Sequence, residues 1–312
     1  MRGWIVLAAV LLLVFLLGQL VSSFLRNDAR PGLATAAVLT GGIFNVFGDW
    51  FCVFVLDLGV FGAGLATATG AVISLAVMCS HFFSRKCTLH LVPVQKLFKK
   101  LGEIAVTGFS SFFVDVAMGI LTVLFTRQIM KYLDSDALAV YATVINISTF
   151  VQCCTYSVGQ AAQPILSTNY GANNAARIRQ ALHLALGTSM VFAAFWTGLS
   201  ELFPQLYIHI FMRPSAEILA IAPAIIRRYS VSFVLLPVNI FSTYYFQSIL
   251  RPKDSFIVSI ARGLLVSGLL IFALPALFAP EAIWWAMPLT ELVTSVYAAY
   301  AMRKSLTGLC AN

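Results

Sequence analysis

Apolar stretches of about twenty residues, nearly free of charge, alternate along this chain with short segments that carry most of its Arg, Lys, Asp and Pro residues. A helix needs about twenty apolar residues to cross a hydrocarbon core about 30 Å thick, so each stretch predicts a membrane-spanning helix. Nine are expected, over residues 4–25, 33–56, 60–83, 104–126, 137–165, 181–203, 229–250, 256–278 and 283–302. The pattern therefore predicts an all-α fold, a polytopic transmembrane helix bundle. Residues 215–229 (SAEILAIAPAIIRRY) read as a short interfacial helix or as an extension into the seventh span. The longest polar connection, residues 84–103, is basic and amphipathic enough to lie along a membrane surface. It divides the chain into residues 1–83 with three helices, the connection 84–103, residues 104–304 with six helices, and a tail at 305–312.

Polar residues inside the apolar runs are the next signal. The stretch GGIFNVFGDWFCVFVLDLGVFGAGLAT (residues 41–67) places Asn45 and Asp49 four apart, on one helical face. DLGVFG (residues 57–62) reads as a tight turn, so its flanking helices run antiparallel. Asp49 and Thr67 then lie roughly 13 Å deep at 1.5 Å per residue, near the middle of the membrane. A carboxylate there costs about 3 kcal/mol on insertion scales and normally faces a cavity or the bundle interior. Asn45, Asp49 and Thr67 are thus a candidate site for one cation or proton. The plainer alternative is an Asp that cross-links neighbouring helices.

Composition narrows the class. The 312 residues are 60% hydrophobic and 10% charged, with a mean hydropathy of +0.90, which excludes a soluble protein. The net charge of +8 sits between apolar runs rather than on a basic stripe, so no nucleic-acid partner is expected. With nine spans the loops assign fourteen Lys and Arg to one side and six to the other. That puts the C-terminus in the cytoplasm of a bacterial inner membrane and the N-terminus outside. The first run is longer than a signal-peptide core and lacks an A-x-A site, so it is read as a span. Cys52, Cys79, Cys87, Cys153, Cys154 and Cys310 show no CxxC or Cys/His ligand spacing, so free thiols and no metal site are expected. There is no HExxH, GxSxG or Gly-rich phosphate loop, and Gly108-Phe109-Ser110-Ser111 lacks the closing glycine of a serine-protease motif. No enzyme and no cofactor are expected.

Further polar positions within spans are singled out. Asp115 is central in the fourth helix, Gln152, Gln160 and Gln163 lie along the fifth, and Glu291 is in the last. The glutamines suit either a pathway lining or hydrogen bonds between helices. Arg262, near a helix end, is expected to snorkel to the surface. Tyr244, Tyr245, Phe246, Trp284 and Trp285 read as packing and interfacial anchors ahead of a ligand-binding box. A weak repeat relates SSFLR (residues 22–26) to QSILR (residues 247–251) at an offset of 225, which maps the seventh helix onto the first. The three helices before the boundary then correspond to the second half of a six-helix unit, and parallel repeats of this kind mark transporters.

In order, FLRNDARPGLAT (24–35), NVFGD (45–49), GVFGAGLAT (59–67), GQAAQPILSTNYGANNAARI (159–178), YYFQSILRPKD (244–254) and IWWAMPLTE (283–291) resemble the multidrug and toxic compound extrusion (MATE) transporters. The likeness is greatest to their bacterial drug-exporting branch. It implies a two-lobe architecture of twelve helices, here with an incomplete N-lobe that lacks the first three. It also implies antiport of drugs or other amphipathic organic compounds against protons or sodium. Asn45, Asp49 and Thr67 match the family's N-lobe cation site, while a further Asp of the family's first helix has no counterpart. Asp115 matches a second-lobe acidic cation ligand, and Gln152, Gln160, Gln163 and Glu291 are expected along the substrate pathway. The expected partners are membrane lipids and a small amphipathic substrate, bound by a monomer whose Asp49 alternates between protonated and ionised states. Two alternatives stand: a truncated, inactive fragment of such a transporter, or a related flippase of lipid-linked sugars. The flippase would need a basic central cavity, to which only Arg262 could contribute.

Overall fold

The computed structural model describes the backbone of residues 2–90, 93 and 96–310, and their side chains except at 2–10, 107, 110, 111, 309 and 310. Ser110, Ser111 and Cys310 thus lie outside the described side chains, as do parts of the predicted connection and tail outside the described backbone. The described residues form helices joined by short turns, with no strand. The chain divides into two compact units, Met1–Gln95 and Lys96–Asn312.

The first unit holds three helices: α1 (Arg2–Asn27), α2 (Pro31–Trp50) and α3 (Gly59–Cys79). Pro31 opens α2 at a position whose N–H has no helical partner to lose. A π-helical turn, Phe51–Val55, extends α2, and a 3-10 turn, Ser80–Phe83, closes α3. The predicted turn over 57–62 is shorter than expected, because α3 already begins at Gly59. The chain reverses by placing Asp57 at φ 50° and Gly59 at φ 53°, a left-handed conformation that glycine adopts without steric cost. Leu25, Ala34, Ala37 and Met78 form the small core of this unit.

The second unit contains α4 (Leu97–Tyr132), α5 (Ser135–Gly171), α6 (Ala175–Leu202), α7 (Pro204–Phe211), α8 (Ala216–Ser230), α9 (Ser232–Ser248), α10 (Pro252–Ile260), α11 (Val266–Leu277) and α12 (Ala286–Cys310). A π-helical turn, Ala261–Leu265, joins α10 to α11, and a 3-10 turn, Pro280–Trp285, precedes α12. Side-chain oxygens of Asp134, Asn174 and Ser215 accept the backbone N–H three residues on, at 2.8, 3.1 and 3.2 Å, and so fix the starts of α5, α6 and α8. Residues 97–103 of the polar connection are helical and form the first two turns of α4, ahead of the apolar stretch that begins at Phe112. Of the two readings of residues 215–229, the structure bears out the extension into the seventh span: only Val231 interrupts α8 and α9, and Ala216–Ser248 is one apolar stretch of 33 residues.

Among the described residues, seven stretches are long and apolar enough to cross a membrane: Pro31–Val55, Gly59–Phe83, Phe112–Tyr132, Ser135–Gly171, Ala175–Leu202, Ala216–Ser248 and Pro252–Leu277. The first and last of the nine expected spans correspond to α1, whose described apolar stretch is Leu11–Asn27, and to α12. Helix α9 is the hub of the second unit and packs against α5, α6, α10 and α12. Its buried residues lie on every side, from Phe233 and Leu236 to Tyr245 and Phe246, as expected of a helix enclosed by others. Large apolar side chains such as Phe54, Leu184 and Val191 are instead exposed, which suits a surface that meets hydrocarbon rather than water.

Candidate functional site

Among the described residues, two polar centres inside the helix packing bear on the residues singled out from the sequence, one in each unit. In the first, small residues let α2 and α3 approach at backbone distance. Gly62, Ala66 and Gly70 recur four apart along one stripe of α3. A Cβ added at Gly41 would lie 2.5 Å from the Gly70 carbonyl oxygen, one at Gly70 would lie 2.6 Å from that of Gly41, and one at Gly48 would lie 2.9 Å from Ala66 Cβ. Stripes of small residues hold membrane helices together in this way. The close approach lets Asn45 Nδ2 donate to Thr67 Oγ1 at 3.2 Å, while the Thr67 hydroxyl donates back to Ala63 O at 2.9 Å. Asp49 stands one turn along α2, half-buried. Its Oδ1 is enclosed and has no hydrogen-bond partner among the described residues. Of the three residues expected here, the structure joins Asn45 to Thr67 directly and leaves an oxygen of Asp49 unsatisfied. The π-helical turn Phe51–Val55 follows at once, and turns of this kind recur at functional sites.

The second centre is an ion pair inside the second unit. Arg262 Nε donates to Glu291 Oε1 at 2.7 Å. Asn239 Nδ2 donates to Glu291 Oε2 at 2.5 Å and to the Glu291 carbonyl at 2.9 Å. Glu291 and Asn239 are fully enclosed and Arg262 is 6% exposed, so the expectation that Arg262 snorkels outward is corrected. The π-helical turn that contains Arg262 sets this geometry: its extra residue shifts the helix register and places Arg262 and Gly263 on the buried side. Gly263 is needed there, because a Cβ would meet Ala117 Cβ at 2.8 Å. Arg262 Nη2 and Asn239 Oδ1 are buried without partners among the described residues. A cavity of about 20 Å³, lined among others by Tyr156, Asn239, Thr243, Ser259 and Arg262, lies beside them. It has room for one water molecule.

Along α5, Gln152 Nε2 donates to Ser148 Oγ at 3.2 Å and the Tyr156 hydroxyl to Gln152 Oε1 at 3.5 Å. This ladder borders a second cavity of about 50 Å³ lined by Tyr141, Ser148, Thr149, Gln152 and Tyr229. Gln160 and Gln163 are half-buried further along the same helix, and Asp115 is exposed on α4. Tyr245, Phe246 and Trp284 are buried and Trp284 packs against Tyr141 with ring centroids 6.2 Å apart, which fits the packing role read from the sequence. The Arg262–Glu291–Asn239 cluster went unrecognised there. Two opposite charges within apolar runs were its available signal, since neither is stable in a membrane interior without the other.

A bundle of long apolar helices, cut into two units with a polar centre inside each, defines a multi-pass membrane protein. The MatE family model matches residues 111–272, just over half of the chain, and the chain belongs to the MatE family. It is 23% identical over 305 residues to the multidrug export protein MepA of Staphylococcus saprophyticus. It is likewise 23% identical over 310 residues to MepA of Staphylococcus aureus. Both alignments cover 96% of this chain and 66% of the relative, so the chain spans just under two thirds of these relatives' length. Among solved structures, a MATE protein in complex with MaL6 superimposes with a TM-score of 0.89 at 19% identity, over 98% of this chain and 70% of that one. The outward-facing conformation of a multidrug resistance MATE transporter gives 0.84 at 18% identity, over 92% and 65%.

Proposed function

We propose that this chain serves cation-coupled export of drugs or other amphipathic organic compounds from a bacterial cell, with Asp49 as the group that takes and releases the coupling proton or sodium ion. The observation that carries this reading is the enclosed, unpartnered Oδ1 of Asp49, one helical turn from the Asn45–Thr67 hydrogen bond. An acceptor left unsatisfied in an apolar bundle costs free energy until a proton or a cation reaches it. Such a group does work when the cation binds one conformation more tightly than the other, since equal affinity shifts no equilibrium. Each charge carried inward then contributes about 2.3 kcal/mol per 100 mV of membrane potential. The likeness to multidrug export proteins along 96% of the chain supports the substrate class.

In the second unit, Asp115 on α4 is proposed as a further cation ligand, and Gln152, Gln160 and Gln163 as polar groups along the substrate route. Glu291 has both carboxylate oxygens engaged, so its proposed part is to tie α12 to α9 and to the π-helical turn. The basic ends of the spans support a cytoplasmic C-terminus.

Asp49→Asn in the full chain, expressed in drug-sensitive bacteria, tests the reading. Resistance and ethidium efflux are expected to be lost while the protein still reaches the membrane at normal level. Efflux retained by the variant would overturn the role of Asp49.

A further inference from the structure

Two turns at the same end of the first unit bring together three ligand-type side chains that the sequence keeps far apart. Asp28 follows α1 in the turn before α2, where Ala29 takes φ 54°. His81 lies in the 3-10 turn that ends α3, and Cys87 comes six residues later. Helices α1 and α3 pack against each other, which carries the two turns into contact. His81, 3% exposed, donates from Nε2 to Asp28 Oδ2 at 2.6 Å. Thr88 donates to the same carboxylate through its backbone N–H, at 3.2 Å, and through its hydroxyl. These bonds, led by the one from His81, hold the Asp28 carboxyl at about 2, well below its ordinary value. Cys87 is a free, half-buried thiol. Its sulfur, a ring nitrogen of His81 and a carboxylate oxygen of Asp28 all lie within 4.8 Å of one another.

We propose that Asp28, His81 and Cys87 form a zinc-binding site. Imidazole nitrogen, thiolate sulfur and carboxylate oxygen are the donor set that Zn²⁺ prefers, and two anionic ligands balance its charge. On binding, the cation displaces the Cys87 thiol proton, which leaves to solvent, while His81 shifts its proton from Nε2 to Nδ1 and binds as neutral imidazole. Donors 2.0–2.3 Å from a tetrahedral ion sit roughly 3.3–3.8 Å apart. The His81–Asp28 pair therefore has to open by less than about 1 Å, a shift two turn-borne side chains can make. An open pocket of about 350 Å³, lined among others by Arg30, Leu33, Ser80, His81 and Ser84, reaches His81 from outside and leaves the fourth position to water. The bound ion would fasten residues 81–88 to the α1–α2 turn.

The test is metal binding by the full chain in detergent, reduced and stripped with a chelator, titrated with ZnCl₂ by calorimetry and with CoCl₂ by absorption. One equivalent is expected to bind, and Co²⁺ is expected to give the near-ultraviolet sulfur-to-cobalt charge-transfer band of a thiolate ligand. Cys87→Ser should abolish that band, and either Cys87→Ser or His81→Gln should weaken zinc binding by at least about tenfold. Cys79→Ser should change neither. Substoichiometric binding by the unmodified chain, or a band that survives Cys87→Ser in a monodisperse preparation, would overturn the site and leave the Asp28–His81 bond as a cross-link only. Neither outcome bears on Asp49.

Discussion

Glu291 accepts from Arg262 on one carboxylate oxygen and from Asn239 on the other, and it has no exposed surface. Removing one member of such a pair leaves a buried charge uncompensated, which costs about 3–5 kcal/mol, whereas replacing both with apolar residues of similar volume is often neutral. Glu291→Gln and Arg262→Ala should each lower the thermal unfolding temperature in detergent markedly. The double variant Arg262→Met/Glu291→Leu should recover most of the loss. A double variant as unstable as the sum of the two single ones would mean that each residue acts through other neighbours. The residue scale also shows where sequence reading stops. Asn45 and Asp49 were legible because a spacing of four fixes a shared face, whereas the depth argument set Thr67 level with Asp49 and the bond that forms is to Asn45, one turn earlier. Arg262 was misread, because its distance from the helix end suggested snorkelling. The extra residue of a π-helical turn, which carries no composition signal, turns it inward. The Asp28–His81–Cys87 cluster was illegible for a different reason, since 53 residues separate its first two members and only the packing of α1 on α3 joins them.

At the scale of helices, the existence of the spans follows from apolar run length, whereas their ends follow from backbone details that run length does not encode. Helix α3 begins at Gly59 because Asp57 and Gly59 take positive φ, and α4 begins after Lys96, itself at φ 58°. Contacts between helices depend on small residues in the same local way. Gly70→Leu should force α2 and α3 apart, because even a Cβ there meets the Gly41 carbonyl at 2.6 Å and the Asn45 Cβ at 3.0 Å. Overpacking of this kind costs about 1–3 kcal/mol or more, and it should break the Asn45–Thr67 bond and take export with it. Gly42→Ala, one residue from Gly41 but with nothing within 4 Å of an added Cβ, should leave stability and export unchanged. Thermal unfolding and ethidium efflux measured on both variants separate close approach from a general intolerance of side chains on α2.

For the whole molecule, the division into two units falls between Gln95 and Lys96, inside the basic stretch 84–103 that separates the apolar runs. Each polar centre lies wholly within one unit: Asn45, Asp49 and Thr67 within Met1–Gln95, and Asn239, Arg262 and Glu291 within Lys96–Asn312. Residues 84–90 are non-helical, and Arg85 and Lys86 there are exposed, as is Lys96 at the start of α4. Proteases need an extended, accessible segment, and loop tips of this kind are cut ahead of helices. Trypsin is therefore expected to cleave first between Arg85 and Lys96, giving two fragments identified by mass spectrometry. Helix content by circular dichroism should not change, since no described helix crosses the cut. The same experiment tests topology, because the basic connection is read as cytoplasmic. Inverted membrane vesicles should be cut at this site and intact spheroplasts spared. Cleavage in spheroplasts would reverse the orientation assigned to every helix, and a first cut within α5 to α12 would remove the connection as the most accessible boundary between the two units.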